Sequence, residues 1–95
     1  MKTWRLLPLE TLDASLAMAV DEALLRLHSQ GKTPPTVRFY QWAPPAISLG
    51  RFQRLDGFDL EACRRRGFSV VRRSTGGRAV LHLGDLTYSV VAGTA

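Results

Sequence analysis

Between Asp13 and Gln30 the apolar residues return at three- and four-residue steps: Leu16, Ala19, Val20, Ala23, Leu24 and Leu27. That period marks one face of an α-helix, so the spacing predicts a helix with this face buried. Asp13 is placed to cap its first turn, and Gly31 sits where a left-handed residue commonly ends a helix. His28, close to that end, would complement the carbonyl end of the dipole from the surface when protonated. Pro34-Pro35 breaks the pattern, and the β-branched and aromatic run from Thr36 to Trp42 predicts a strand. Ala43-Pro44-Pro45 then reads as a turn, and Ala46 to Leu49 as a second strand ending at Gly50, so a hairpin-like pair is expected. A short helix is predicted over Leu60–Arg66, with Phe58 ahead of it, Asp59 as its cap and Gly67 closing it. Phe68-Ser69-Val70-Val71 reads as a buried strand. Arg78–His82 and Leu86–Val91 read as two more strands, with Gly84-Asp85 as a tight hairpin turn between them.

Helix, two strands, short helix and three strands, without regular βαβ alternation, predict an α+β fold: an antiparallel or mixed sheet with helices on one face. Val90-Val91 looks like part of a central strand, yet only Ala92-Gly93-Thr94-Ala95 follow it. Residues 1–95 are therefore expected to be the N-terminal portion of a larger domain.

Composition narrows the class. At 95 residues, 45% hydrophobic and 22% charged, the chain has the make-up of one ordinary globular unit with a single modest core. No apolar run approaches the roughly 20 residues that span a bilayer. Met1-Lys2-Thr3-Trp4-Arg5 lacks the apolar block and small-residue site of a secretory leader, so the expected compartment is the cytoplasm. Cys63 is the lone cysteine, which rules out an internal disulfide, and on a helix it is expected to pack as a small hydrophobe. His28 and His82 carry no ligand spacing, so no metal site is expected.

The net charge is +5, carried almost entirely by arginine, since Lys2 and Lys32 are the only lysines. Arginine's planar fork suits carboxylate and phosphate, and a basic balance also suits nucleic acid. The triplet Arg64-Arg65-Arg66, however, falls in the last turn of the short helix, where the dipole alone accounts for it. No aromatic stacking residues are interleaved with it, so nucleic-acid binding is not expected.

The segment with the most chemistry is Arg72-Arg73-Ser74-Thr75-Gly76-Gly77-Arg78-Ala79-Val80-Leu81-His82. A strand delivers two arginines at its end. Gly76-Gly77 then permits positive φ and close backbone approach, Ser74 and Thr75 add hydroxyl donors, and the following strand supplies an apolar wall ending at His82. The segment is no P-loop, because the Gly-Lys-Ser/Thr ending is absent and a strand follows where a helix would be needed. On spacing alone, an anion-binding loop and a plain β-hairpin fit equally well.

Three separated stretches together resemble a known family. The segment just described, continued by Asp85-Leu86-Thr87-Tyr88-Ser89-Val90, is similar to the signature of the lipoate–protein ligase and octanoyltransferase family. So are Arg38-Phe39-Tyr40 with Trp42 and Pro44, then Ser48-Leu49-Gly50-Arg51-Phe52-Gln53, and upstream Met18-Ala19 with Asp21-Glu22. The likeness falls nearest the cysteine-dependent octanoyl-[acyl carrier protein]:protein N-octanoyltransferases. It implies the biotin and lipoate ligase catalytic core, related to class II tRNA synthetases, here incomplete. It also implies attachment of an octanoyl or lipoyl group to a lysine of a lipoyl domain or glycine cleavage H protein, with octanoyl-acyl carrier protein as donor.

Carried over by position, Arg73, Thr75, Gly76, Gly77, Arg78 and His82 belong to the loop that holds the acyl chain and its carbonyl. Gly50 and Gln53 border the same pocket, and Arg73 and His82 are the expected polar contacts. Arg78 stands where the ligases carry a third glycine, which points to the transferases. Ala17 stands where an Asn is frequent. Leu83 stands where an Asp commonly follows the histidine, so no adjacent carboxylate is expected for His82. The family's lysine and the transferases' cysteine nucleophile lie further downstream. Cys63, Lys2 and Lys32 do not align with them, so no catalytic residue is expected in this chain and the segment alone should be inactive. A transferase needs no cofactor. The alternatives are an ATP-dependent lipoate ligase using ATP and Mg, and a non-catalytic acyl-binding subunit whose site a second chain completes.

Overall fold

A computed structural model describes residues 3–57 and 59–93. Phe58, expected ahead of the short helix, lies outside the described residues. In chain order the elements are β1 (Arg5–Leu6), β2 (Glu10–Leu12), α1 (Ala14–Ser29), β3 (Thr36–Trp42), β4 (Ala46–Leu49), α2 (Leu60–Arg65), β5 (Ser69–Arg72), β6 (Val80–His82) and β7 (Thr87–Val91).

The helix signals act as expected. The Asp13 carboxylate accepts from the Leu16 N–H at 2.8 Å, Asp59 accepts from the Ala62 N–H at 2.9 Å, and Gly31 and Gly67 follow the helices with φ of +73° and +83°. His28 is half-buried, and its Nδ1 donates to the Thr33 carbonyl at 2.9 Å, tying the end of α1 to the loop that follows. The buried face of α1 overlaps the predicted one only at Leu24 and the half-buried Val20. Ala14, Ala17 and Leu24 are buried, whereas Leu16, Ala19, Ala23 and Leu27 are exposed. Alanines on the inner face let the helix backbone approach the sheets closely, and the larger Tyr40 and Trp42 fill the space opposite.

The α+β class and the mixed pairing hold, with differences in arrangement. The strands form two sheets rather than one. In the first, β3 pairs antiparallel with β7 and parallel with β1 and β2. A strand has two edges, so β1 and β2 lie end to end along the edge that β7 leaves. Between them Leu7–Leu9 face only Arg38 and Phe39, a one-residue bulge containing Pro8. In the second sheet, β4 lies between parallel β5 and antiparallel β6. Both expected hairpins are therefore absent. The Pro-containing link joins β3 to β4 across the sheets, and Gly84-Asp85 joins β6 to β7 across them again.

Helix α1 packs on β3 and β7 of one sheet and on β5 of the other. Alternation along the second sheet sets Ser48 and His82 on one face and Ile47 and Leu81 on the other. The latter pair shares a cleft with Ala62 and Cys63 of α2, so the helices flank that sheet on opposite faces. Strand β5 is half-buried rather than fully buried. The core joins Ala14, Ala17, Tyr40, Trp42 and Ala46 where helix and sheets meet.

Candidate acyl-binding site

Alternation along β3 buries Thr36, Arg38, Tyr40 and Trp42 on the face toward α1. A cavity of about 340 Å³ runs along this face between α1, β3 and β7. At one end it is bounded by Trp42, His82, Arg73 and Thr75; at the other, one strand length along the β3–β7 register, by Leu25 and Val91. The site is thus polar and cationic at the loop end and apolar at the far end.

The loop end is built by the paired arginines closing β5. The Arg72 guanidinium donates to the carbonyls of Gly50, Arg51 and Gln53 at 2.7, 3.2 and 2.9 Å, fixing the turn after β4. Arg73 turns the other way. Its Nη1 donates to the carbonyl and the hydroxyl of Ser48, each at 2.8 Å, and its Nη2 donates to the carbonyls of Gly76 and Arg78 at 3.0 and 2.9 Å. The segment from Arg72 to His82 is therefore not a hairpin: β5 and β6 flank β4, and the loop arches over its end. That arch requires glycine at two places. A Cβ on Gly50 would run into the Gly77 carbonyl, and Gly77 itself has φ of +101°.

Of the residues expected at the site, Arg73, Thr75 and His82 line the cavity. Gly76, Gly77 and Arg78 form the arch over β4. Gly50 and Gln53 form the turn beneath it, where the Gln53 amide oxygen accepts from the Gly50 N–H at 3.1 Å.

His82 is buried at the floor of the loop end. Its ring stacks on Trp42, with centroids 3.9 Å apart and planes 13° apart. Nε2 lies 2.8 Å from Ser48 Oγ and Nδ1 lies 2.9 Å from Asp85 Oδ2. The carboxylate that Leu83 fails to provide next to His82 thus arrives two positions later, brought back by the turn at Gly84, whose φ is +73°. Thr87 Oγ1 donates to the same carboxylate oxygen at 3.1 Å while accepting from Trp42 Nε1 at 2.7 Å. Burial acts to raise the Asp85 pKa, but the hydrogen bonds from His82, its own backbone N–H and Thr87 outweigh it and hold the carboxyl below its ordinary range. Ser48, His82 and Asp85 have the connectivity of a hydrolase triad. Ser48 is wholly buried, however, and its oxygen already accepts from Arg73, so the array anchors the loop and offers no nucleophile.

A second polar cluster stands midway along the cavity. Arg38, 3% exposed, donates to Asp21 Oδ1 at 2.6 Å and to the Ala17 carbonyl at 3.1 Å, with its guanidinium 3.9 Å from the Tyr40 ring centre. The Tyr40 hydroxyl donates to Asp21 Oδ2 at 3.3 Å. Burial, then the Asp21 charge, push the phenol up to about 12 against the opposing pull of Ser89 and Arg38. Arg38, Tyr40, Trp42 and Ser48 fall within the sequence motifs, which by themselves assign them no role. The alternation of β3, with an arginine at a buried position, was the available signal. Among the described residues no group of three His, Cys, Asp or Glu side chains is placed to hold a metal ion, and no helix is long and apolar enough to cross a membrane.

Residues 13–94 match the family model of the lipoyl protein ligase A/B catalytic domain. The chain belongs to that family. It is 60% identical over 92 residues to octanoyltransferase LipM of Moorella thermoacetica and 53% identical over 92 residues to that of Brevibacillus brevis, covering 96% of this chain in each case. It spans about a third of the length of these curated relatives. Among solved structures, a lipoate-protein ligase A bound with ATP superposes with a TM-score of 0.83 at 38% identity, covering all of this chain and 38% of that one. The bipartite lipoate protein ligase of Thermoplasma acidophilum superposes with a TM-score of 0.80 at 36% identity, covering 99% of this chain and 37% of that one. The catalytic-core architecture implied by the sequence motifs is therefore the one observed.

Proposed function

We propose that this segment is the acyl-binding, N-terminal part of an octanoyl-[acyl carrier protein]:protein N-octanoyltransferase acting in protein lipoylation in the cytoplasm. The observation that carries the reading is the polarity of the cavity. Arg73 places a positive charge at the loop end with no carboxylate within ion-pair distance among the described residues, while Leu25 and Val91 close the other end. An eight-carbon acyl group fits that gradient, with its carbonyl oxygen beside Arg73 and Thr75 and its tail toward Leu25. Positive charge and hydroxyl donors there favour the oxygen that gains charge when a thioester is attacked.

In the overall transfer, the thioester C–S bond of the donor breaks, its thiol leaves, and an amide C–N bond forms on the acceptor lysine. The nucleophile and lysine belong to the remainder of the enzyme, and the residues here bind and orient the acyl group. The higher identity to relatives named octanoyltransferase than to the solved ligases supports transfer without ATP. So does Arg78 in place of the ligases' third glycine. The expected partners are octanoyl-acyl carrier protein and a lipoyl-domain or glycine cleavage H acceptor.

The test uses the protein that carries this segment, an acceptor lipoyl domain, and either octanoyl-acyl carrier protein without ATP or free lipoate with ATP and Mg. Acceptor octanoylation in the first mixture is the expected result. Modification only in the second would replace the reading with an ATP-dependent ligase.

A further inference from the structure

The hydrogen bonds around His82 have one consistent direction, set by donors that cannot reverse. Trp42 Nε1 must donate, so Thr87 Oγ1 accepts from it and turns its own hydrogen to Asp85 Oδ2. Arg73 must donate, so Ser48 Oγ accepts from it and keeps its own hydrogen for His82 Nε2. The hydrogen on Nδ1 then goes to Asp85. The opposite tautomer would set a bare ring nitrogen 2.9 Å from a carboxylate oxygen and give the buried Ser48 oxygen two N–H donors, with no place for its own hydrogen. Stacking on Trp42 fixes the plane of the ring but not which nitrogen carries the proton; that choice is made by the Asp85 carboxylate on one side, in agreement with the Arg73-bound Ser48 hydroxyl on the other.

We infer that Asp85 is a positioning residue for the acyl-binding loop: it holds His82 as the Nδ1–H tautomer, which turns the Ser48 hydroxyl toward Nε2 and reserves the Ser48 oxygen for Arg73. Arg73 in turn holds the carbonyls of Gly76 and Arg78. The chain of contacts runs from β7 through β6 and β4 to the glycine loop, so a change of one proton at His82 is felt at the loop end of the cavity. The effect on acyl binding rests on the proposed function, whereas the tautomer does not.

The chain contains two histidines, so ¹⁵N-histidine labelling with His28→Gln leaves His82 as a single reporter. The expected spectrum of the neutral ring shows a protonated Nδ1 and an unprotonated Nε2. Asp85→Asn can donate from its amide to Nδ1, and is expected to move the proton to Nε2 and weaken octanoate binding about tenfold, the scale of one lost buried hydrogen bond. Asp85→Glu keeps the carboxylate and is expected to retain the tautomer, which decides the matter should the Asn variant fail to fold. A wild-type ring protonated on Nε2, an Asn variant with an unchanged tautomer, or a switched tautomer with unchanged octanoate affinity would each overturn the inference. An Nδ1–H ring in a chain that binds no octanoate would overturn the acyl-binding reading while supporting the tautomer assignment.

Discussion

Arg38 stands behind the Asp21 and Tyr40 that line the cavity, Arg73 lines it directly, and the two arginines are held in opposite ways. Arg38 is a closed arrangement: a buried guanidinium, a carboxylate at 2.6 Å, an aromatic face and a helix carbonyl. Arg73 is held just as firmly but by neutral groups, three carbonyls and one hydroxyl, so its charge stays uncompensated by any carboxylate among the described residues. The first arginine fastens α1 to β3. The second leaves a fixed positive potential where the cavity meets the glycine loop. A buried charge that has a partner is architecture, and a half-buried one held in place by neutral groups alone is available to a ligand.

Gly50→Ala should separate the two most sharply. The new Cβ meets the Gly77 carbonyl, so the arch over β4 must shift and Arg73 loses its acceptors there. Octanoate binding by isothermal titration should vanish, while the Arg38 side, which does not touch the arch, keeps α1 in place by circular dichroism. Retained binding would show that the arch does not shape the site. Arg38→Met should destabilise the fold by about 3–5 kcal/mol in urea titration, because it leaves the Asp21 carboxylate partly buried without its partner. Adding Asp21→Asn should recover much of that loss, and a double variant as unstable as the single would mean that Arg38 acts through packing alone.

Arg73→Ala, made in the protein that carries this segment, should slow acyl transfer about a hundredfold, as the loss of a preorganised positive group at a developing oxyanion does. Arg65→Ala, at the exposed end of α2, should change it little. Small and equal effects at both would mean that Arg73 has no special part in acyl transfer. The smallest effect concerns Tyr40. Its phenol is raised from 10.0 to about 12, so between those values the unfolded chain loses a proton that the folded chain keeps. Stability should decline as the pH rises through that window, and Tyr40→Phe should flatten the decline. In a Tyr88→Phe background, absorbance titration should show Tyr40 ionising near the upper value.

Local features were legible in the sequence because their causes are local. The two Asp caps, the helix-ending glycines and the strand runs depend on neighbours a few residues away, and each stands where its signals put it. Pairing was less legible. Ala43-Pro44-Pro45 and Gly84-Asp85 look like hairpin turns, but whether flanking strands pair is decided by partners such as β7 for β3, some fifty residues apart in the register. The face of α1 misled because Leu16 and Leu27 satisfy the period while Ala14 and Ala17 make the closest contacts. Helical period does not record which apolar stripe the sheets meet. At the site, the loop was visible through its glycines and arginines. Asp85 was hidden because its place in a supposed hairpin turn gave no sign that Gly84 folds its carboxylate back onto His82.

A structure of the chain with octanoate would show which way the acyl group lies in the cavity. The carboxylate is expected at the loop end, within hydrogen-bonding distance of Arg73 or Thr75, with the tail lying between α1 and β7 toward Leu25 and Val91. A carboxylate at the Leu25 end, or octanoate seated in the cleft beside α2 instead, would contradict that placement.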